Sequence, residues 1–395
     1  MISKFLTQKQ TYCAIFIITL IVHIPILFGL DSDFQYYALH AKLLSLGKSP
    51  YTHFFDHKPP LFFYALLPGK WIGGSFFHYG AIYLGYLSIT YTLLFHVGKK
   101  LGNKPNNYRG LMGCLLFATL TLGQHLITGG NLNGSIIIFS IFFNLYAFHI
   151  TLGILQNKRN FTGTDLIKNS LLLGFLSGLS FITRFSVVPI GLFTLLLTIR
   201  LVKKKTSLIQ NIKALLIFIS AFLPSIMFVY ITSQKNITAI VQNLFTTNVG
   251  YSNVENLSHI GTFIERSIKS SLYLVNYTAP LIAIALGIII WILSTKPIIK
   301  NQTESWSSLS WLSLYFFGEL IMIILQNMGQ KNYIYFPIFI PLCLITSLLL
   351  TDFLDTCFNT KEKKSLPFLI ILIAASLIIV KSHIFYIHQN DYNSY

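Results

Sequence analysis

The feature that most constrains this chain is a succession of apolar segments, each about as long as a bilayer is thick, separated by short segments that carry clusters of cations. Windows of about 19 residues, enough to cross a roughly 30 Å hydrocarbon core, place spans near 11–30, 77–97, 110–127, 134–154, 212–232, 271–294, 308–326, 333–351 and 366–381. Lipid offers no partners to backbone N–H and C=O groups, so segments of this length read as helices. Residues 169–201 hold two shorter apolar stretches that meet at Arg184. One helix of that length would overshoot the bilayer, and a hairpin of two short helices is predicted. The expected fold class is an all-α polytopic membrane protein with about 11 transmembrane helices, forming a single domain over 1–395.

Composition excludes a soluble alternative. Hydrophobic residues make up 53% of the chain and charged residues 10%, whereas a soluble domain carries about a quarter charged. The net charge of +17 raises the question of nucleic acid. A nucleic-acid binder gathers its cations on one soluble face, but here they fall in clusters between apolar spans, so no nucleic-acid partner is expected. With the N-terminus inside, the clusters at Lys99–Lys104, Lys203–Lys205 and Lys361–Lys364 all face the cytoplasm. The positive-inside rule therefore predicts a cytoplasmic N-terminus and an external C-terminus. The first apolar run follows Lys4 and Lys9 like a secretory leader, but it is about 20 residues long and no A-x-A site closes it, so an uncleaved helix is predicted. Cys13, Cys114, Cys343 and Cys357 form no C-x-x-C and imply neither a disulfide framework nor a zinc site.

Two external segments, 31–76 and 233–270, are too long to be mere turns, and loops of this kind usually fold or function. In the first, apolar positions from Phe34 to Leu46 suit a helix lying in the membrane interface, with Gly47 as its stop. Asp31 and Asp33 stand at its N-terminal end, where one carboxylate can cap free N–H groups. A cap uses one of them; the second, together with Asp56, is read as functional. A second short helix is predicted from Leu61 to about Ile72, opened by Pro59 and Pro60, since proline costs nothing where the N–H would be unpaired. Lys58 precedes it. An ammonium beside free amides can hold a phosphate, and an interfacial lysine that snorkels is the plainer reading.

The order of residues here resembles the first external loop of GT-C glycosyltransferases of the polyprenyl-phosphate-mannose protein mannosyltransferase and aminoarabinose transferase type (family 39-like). The pattern is an acidic residue or pair closing the first span, a tyrosine-containing helix ending in Gly, then P-Y, then D-x-K-P-P-L and an aromatic. This chain supplies Asp31 and Asp33, Tyr36 and Tyr37, Gly47, Pro50 and Tyr51, then Asp56, Lys58, Pro59, Pro60 and Leu61. More faintly, LLLGFLSGLSFITRF at 171–185 is similar to the family's G-x-x-x-G-L-x-x-L-T-K segment, with Arg184 in place of the lysine. QKNYIYFPIFIPL at 330–342 resembles G-H-Y-F-x-x-x-x-P, with Ile334 where histidine is usual. Asp31 and Asp33 are separated by Ser32, whereas the family's acidic pair is adjacent. Some relatives carry a soluble C-terminal domain; only about 14 residues follow the last predicted span here, so acceptor recognition is expected from the membrane domain and its loops.

The resemblance implies transfer of a sugar from a polyprenyl-phosphate carrier to a lipid, glycan or protein acceptor on the outer face of a bacterial inner membrane. A phosphate leaving group is a weak base, so cations that neutralise its growing charge suffice in place of a general acid. Lys58 fits that role, Arg184 can add a bidentate contact, Lys331 is a further phosphate ligand and Arg266 a weaker one. The acceptor hydroxyl must lose its proton, and Asp31, or secondly Asp33, is the expected base. A single base opposite the leaving phosphate gives inversion. Asp56, Tyr36, Tyr37 and His57 are expected to orient Lys58 or sugar hydroxyls. Asn131 and Asn133 form a turn that can also bind sugar; Glu319 is an intramembrane carboxylate with no evident partner. No cofactor or metal ligand set is expected, and the sequence leaves a role for a divalent metal open. The rival readings are a transporter or lipid-carrier flippase, which places its ionisable sites near the midplane, and a surface-polysaccharide polymerase or ligase.

Overall fold

The computed structural model describes residues 8–28, 32–54, 58–101, 105–127, 135–156, 162–183, 195–196, 198–199, 206–246, 312 and 336–359. Among them the chain is mostly helical and has no strand; Pro50 and Phe54 form an isolated bridge. The helices are α1 (Gln8–His23, continued by a 3-10 turn Ile24–Phe28), α2 (Ser32–Ser45), α3 (Leu61–Leu66), α4 (Pro68–Trp71), α5 (Phe76–Lys100), α6 (Asn107–Ile127), α7 (Ser135–Gln156), α8 (Gly163–Thr183), α9 (Leu208–Thr232), α10 (Ile237–Ile240, followed by a π turn Val241–Thr246) and α11 (Phe336–Asn359). Four segments, Gln8–Phe28, Phe76–Lys100, Gly163–Thr183 and Leu208–Thr232, are long and apolar enough to cross a membrane. By length and composition this is a membrane-embedded protein. The predicted spans at 271–294 and 366–381, and all of 308–326 but Leu312, lie outside the described residues.

Local chemistry sets the boundaries. Pro25 cannot donate into the α1 ladder, and the helix tightens to 3-10 geometry at Ile24. Gly47 at φ +76° ends α2 as the sequence predicts, with Lys48 N–H on the Leu43 carbonyl (3.1 Å) and Gly47 N–H on that of Leu44 (3.0 Å), a Schellman closure. The helix predicted from Leu61 to about Ile72 is instead two. Proline cannot continue the hydrogen-bond ladder, and Pro68 begins α4 as its first residue.

The largest departure from expectation is α8. A short helix was expected from 169; α8 starts at Gly163 and runs 21 residues, ending at Thr183, just before Arg184. Thr162 and Asp165 explain the early start. The Thr162 N–H donates to Asp165 Oδ2 (2.9 Å) and the Asp165 N–H to Thr162 Oγ1 (3.2 Å), which pairs two donors reciprocally at the helix start. The extra turns carry Asp165 and Lys168, polar residues that lower the mean hydropathy of the segment.

The chain divides into two compact units. One comprises Thr19–Leu93 and Asn131–Phe263. Within it α8 pairs with α9 through Gly174 and Gly178. A Cβ on Gly174 would strike the Phe218 carbonyl and lie 2.9 Å from Ala221 Cβ; one on Gly178 would strike Ser225 Oγ and lie 3.3 Å from the Phe222 carbonyl. Small residues four apart let helix backbones approach where lipid supplies no hydrophobic drive. Ser180 Oγ donates to Asn144 Oδ1 (3.2 Å) and ties α8 to α7. Gly80 of α5 sits so close to the 3-10 turn that a Cβ there would be 3.0 Å from the Ile26 carbonyl.

The other unit comprises Met1–Ile18, Leu94–Gly130 and Ile264–Tyr395. Its described part holds α6 against α11, with Gly113 facing Leu344 and Ser347. Arg109, in the first turn of α6, is buried, and its Nε donates to Thr351 Oγ1 at 3.1 Å. A buried guanidinium needs such partners, because its desolvation is otherwise uncompensated.

Candidate active site in the first loop

Three of the expected site residues are described with their side chains, Tyr36, Tyr37 and Lys58, all in the unit built on α8 and α9. Asp33 is placed on the backbone of the first turn of α2. Asp31, Asp56, His57, Arg184 and Lys331 lie outside the described residues, as do Asn131, Asn133, Arg266 and Glu319.

Tyr37 and Lys58 are brought together. Helix α2 turns Tyr37 inward to 1% exposure, and the Lys58 ammonium donates to its hydroxyl. The same ammonium stands 4.6 Å from the centroid of the Tyr37 ring. The hydroxyl lone pairs favour the charged amine, a charge-assisted hydrogen bond stronger than a neutral one.

An aromatic frame fixes Tyr37. Its ring meets Phe62 edge-on at 5.2 Å and Phe63 at 6.0 Å, both from α3. Phe34 stacks on Tyr83 of α5 at 5.4 Å, and Phe62 meets Tyr83 at 5.6 Å, so α2 and α3 are seated on a membrane-length helix. Tyr36 is 41% exposed, and its ring lies 4.0 Å from that of His40.

His40 was not singled out from sequence, yet it is buried at the centre of this frame. It stacks on Phe54 at 4.4 Å and meets Phe63 edge-on at 5.0 Å. The available signal was helical spacing: His40 follows Tyr36 by four and Tyr37 by three, which puts all three on one side of α2. Tyr64, the next residue of α3, meets Phe228 of α9 at 5.2 Å, and burial pushes its phenol pKa up.

The loop between α2 and α3 is tied down as well. The Tyr51 hydroxyl donates to the Lys58 carbonyl at 2.7 Å, and Thr52 Oγ1 donates to the Ser233 carbonyl at the end of α9 at 3.1 Å. His53 Nδ1 accepts from the Ser49 N–H at 3.1 Å, a local turn contact. Chemically, this arrangement presents one fixed ammonium on a rigid aromatic base, suited to an anion. Among the described residues no group of three or more His, Cys, Asp and Glu could hold a metal ion. No known protein family, no curated protein and no solved structure matches this chain.

Proposed function

We propose that this protein is a GT-C-type membrane glycosyltransferase that moves a sugar from a polyprenyl-phosphate donor to a lipid, glycan or protein acceptor on the outer face of a bacterial inner membrane. In this reading the chain has about 11 transmembrane helices, a cytoplasmic N-terminus and an external C-terminus. The observation that carries it is the Lys58 ammonium held against Tyr37, on a loop whose residue order resembles the donor-binding loop of these enzymes. A cation kept in place before the substrate arrives stabilises developing charge without reorganisation at the moment of reaction.

The proposed step is a single displacement. The acceptor oxygen forms a bond to the anomeric carbon as the bond from that carbon to the phosphate oxygen breaks. The electron pair stays with the polyprenyl phosphate, neutralised by Lys58 with Arg184 and Lys331. The acceptor proton passes to the carboxylate of Asp31, with Asp33 as second choice. Attack opposite the leaving group inverts the anomeric centre.

Membranes containing the protein test this reading when given a panel of radiolabelled polyprenyl-phosphate sugars. The expected result is label in a new glycosidic linkage together with free polyprenyl phosphate. A carrier would instead move intact labelled lipid between leaflets, and that outcome would replace the enzyme reading.

A further inference from the structure

We infer that Tyr51 is the positioning residue for Lys58: it is lodged between the ends of α8 and α9 and holds the Lys58 backbone at a fixed point. The inference rests on the reading of Lys58 as the donor-phosphate ligand.

The backbone supplies the first observation. Tyr51 has φ +66°, in the left-handed region. For a bulky residue this conformation costs about 1–3 kcal/mol, and such residues persist only where the surroundings over-determine them. The turn at Gly47, at φ +76°, uses glycine for the same region. A turn alone would be served as well by glycine or asparagine at 51, so the tyrosine side chain is what offsets the backbone cost.

That side chain has two separate attachments. Its ring is buried with Ile182, from the last turn of α8, and Val229, from the last turn of α9; Leu61 and Phe228 pack around them. Its hydroxyl reaches seven residues along the chain to the Lys58 carbonyl at 2.7 Å. The loop is pinned further where the Tyr51 N–H donates to the Phe54 carbonyl (2.9 Å) and Thr52 Oγ1 to the Ser233 carbonyl. A phenylalanine would fill the pocket equally well, so packing does not require the hydroxyl. What the hydroxyl adds is the height of Lys58, whose carbonyl it holds just before Pro59 and Pro60 open α3. Ile182 also stands two residues before Arg184, so the same ring sits at the segment leading to the second proposed phosphate ligand.

The test is Tyr51→Phe, read two ways. First, purified protein is treated with an acetylating N-hydroxysuccinimide ester and lysine acetylation is followed by mass spectrometry. The rate at Lys58 is expected to rise about fivefold, the equivalent of one neutral hydrogen bond, while the rates at Lys48 and Lys235 stay unchanged. Second, sugar transfer is measured in a double-mutant cycle. Tyr51→Phe is expected to lower kcat/KM about fivefold in the natural chain and to have no effect in a Lys58→Ala background. A merely structural role would lower thermal stability and act equally in both backgrounds. Unchanged Lys58 acetylation, or a loss that persists in the Lys58→Ala background, overturns the inference. If acetylation rises but the natural chain consumes no donor, the positioning role stands and the transferase reading alone falls.

Discussion

Lys58 and Tyr37, twenty-one residues apart, meet as one unit: the ammonium donates to the phenol hydroxyl and lies 4.6 Å from the centre of its ring. The hydroxyl and the ring are separable. Tyr37→Phe keeps the ring's packing on Phe62 and Phe63 and is predicted to lower kcat/KM for sugar transfer about tenfold, near the upper end for one hydrogen bond to a charged group. Tyr37→Leu also removes the ring's packing on Phe62 and Phe63 and is predicted to lose several-fold more. Steady-state transfer at matched expression checks the order; equal activity in all three forms would show that Tyr37 does not set the Lys58 position.

The pairing of α8 with α9 depends on the absence of a side chain at Gly178. A Cβ there meets Ser225, so Gly178→Val forces the helices apart and is predicted to cost about 1–3 kcal/mol of stability. Adding Ser225→Gly vacates the space and should recover part of the loss. Thermal unfolding in detergent micelles measures both; a valine variant as stable as the natural chain would contradict the packing.

Ser207 begins α9 with a complete capping box, its hydroxyl accepting from the Gln210 N–H at 3.2 Å while Gln210 Oε1 accepts from the Ser207 N–H at 2.9 Å. Ser207→Ala removes half of it and is predicted to destabilise the protein by about 1 kcal/mol, with Ser207→Thr close to neutral. The same thermal measurement decides between them.

The proposed orientation makes a prediction independent of catalysis. In a chain whose native cysteines are replaced by serine, a cysteine at Lys48 should react with a membrane-impermeant maleimide added to spheroplasts. One at Lys204 should react only after permeabilisation. The reverse pattern would place the first loop inside and remove it from any external lipid-linked donor.

Much of the membrane frame was legible because hydropathy is a local, summed property. The spans read at 11–30, 77–97 and 212–232 correspond to the membrane-length segments Gln8–Phe28, Phe76–Lys100 and Leu208–Thr232, and those read at 110–127, 134–154 and 333–351 fall on the helices Asn107–Ile127, Ser135–Gln156 and Phe336–Asn359. The start of α8 was missed for the same reason. Asp165 and Lys168 lower any apolar window, and the signal that mattered was the Thr162-x-x-Asp165 spacing of a cap. Pro68 was visible, yet the apolar run around it suggested one helix from Leu61 to Ile72.

At the site, Lys58 and Tyr37 were each picked out, but nothing in sequence said that the two would touch. That contact is set by how α2 and α3 fold onto each other. His40 escaped notice because its stacking partner, Phe54, lies across a loop. Tyr51 was one letter of a pattern; its positive φ and its ring between Ile182 and Val229 are properties of the folded chain.

The central claim is that Lys58 holds the phosphate of a lipid-linked sugar while a first-loop aspartate takes the acceptor proton. Transfer of radiolabelled sugar from polyprenyl-phosphate donors, in membranes carrying the natural chain, Lys58→Ala, Asp31→Asn or Asp33→Asn at matched expression, tests it most directly. The account predicts transfer by the natural chain, a loss of at least about a hundredfold in Lys58→Ala, and a comparable loss in Asp31→Asn or, failing that, Asp33→Asn. Normal transfer by all three variants, or no donor consumed by the natural chain, would contradict it.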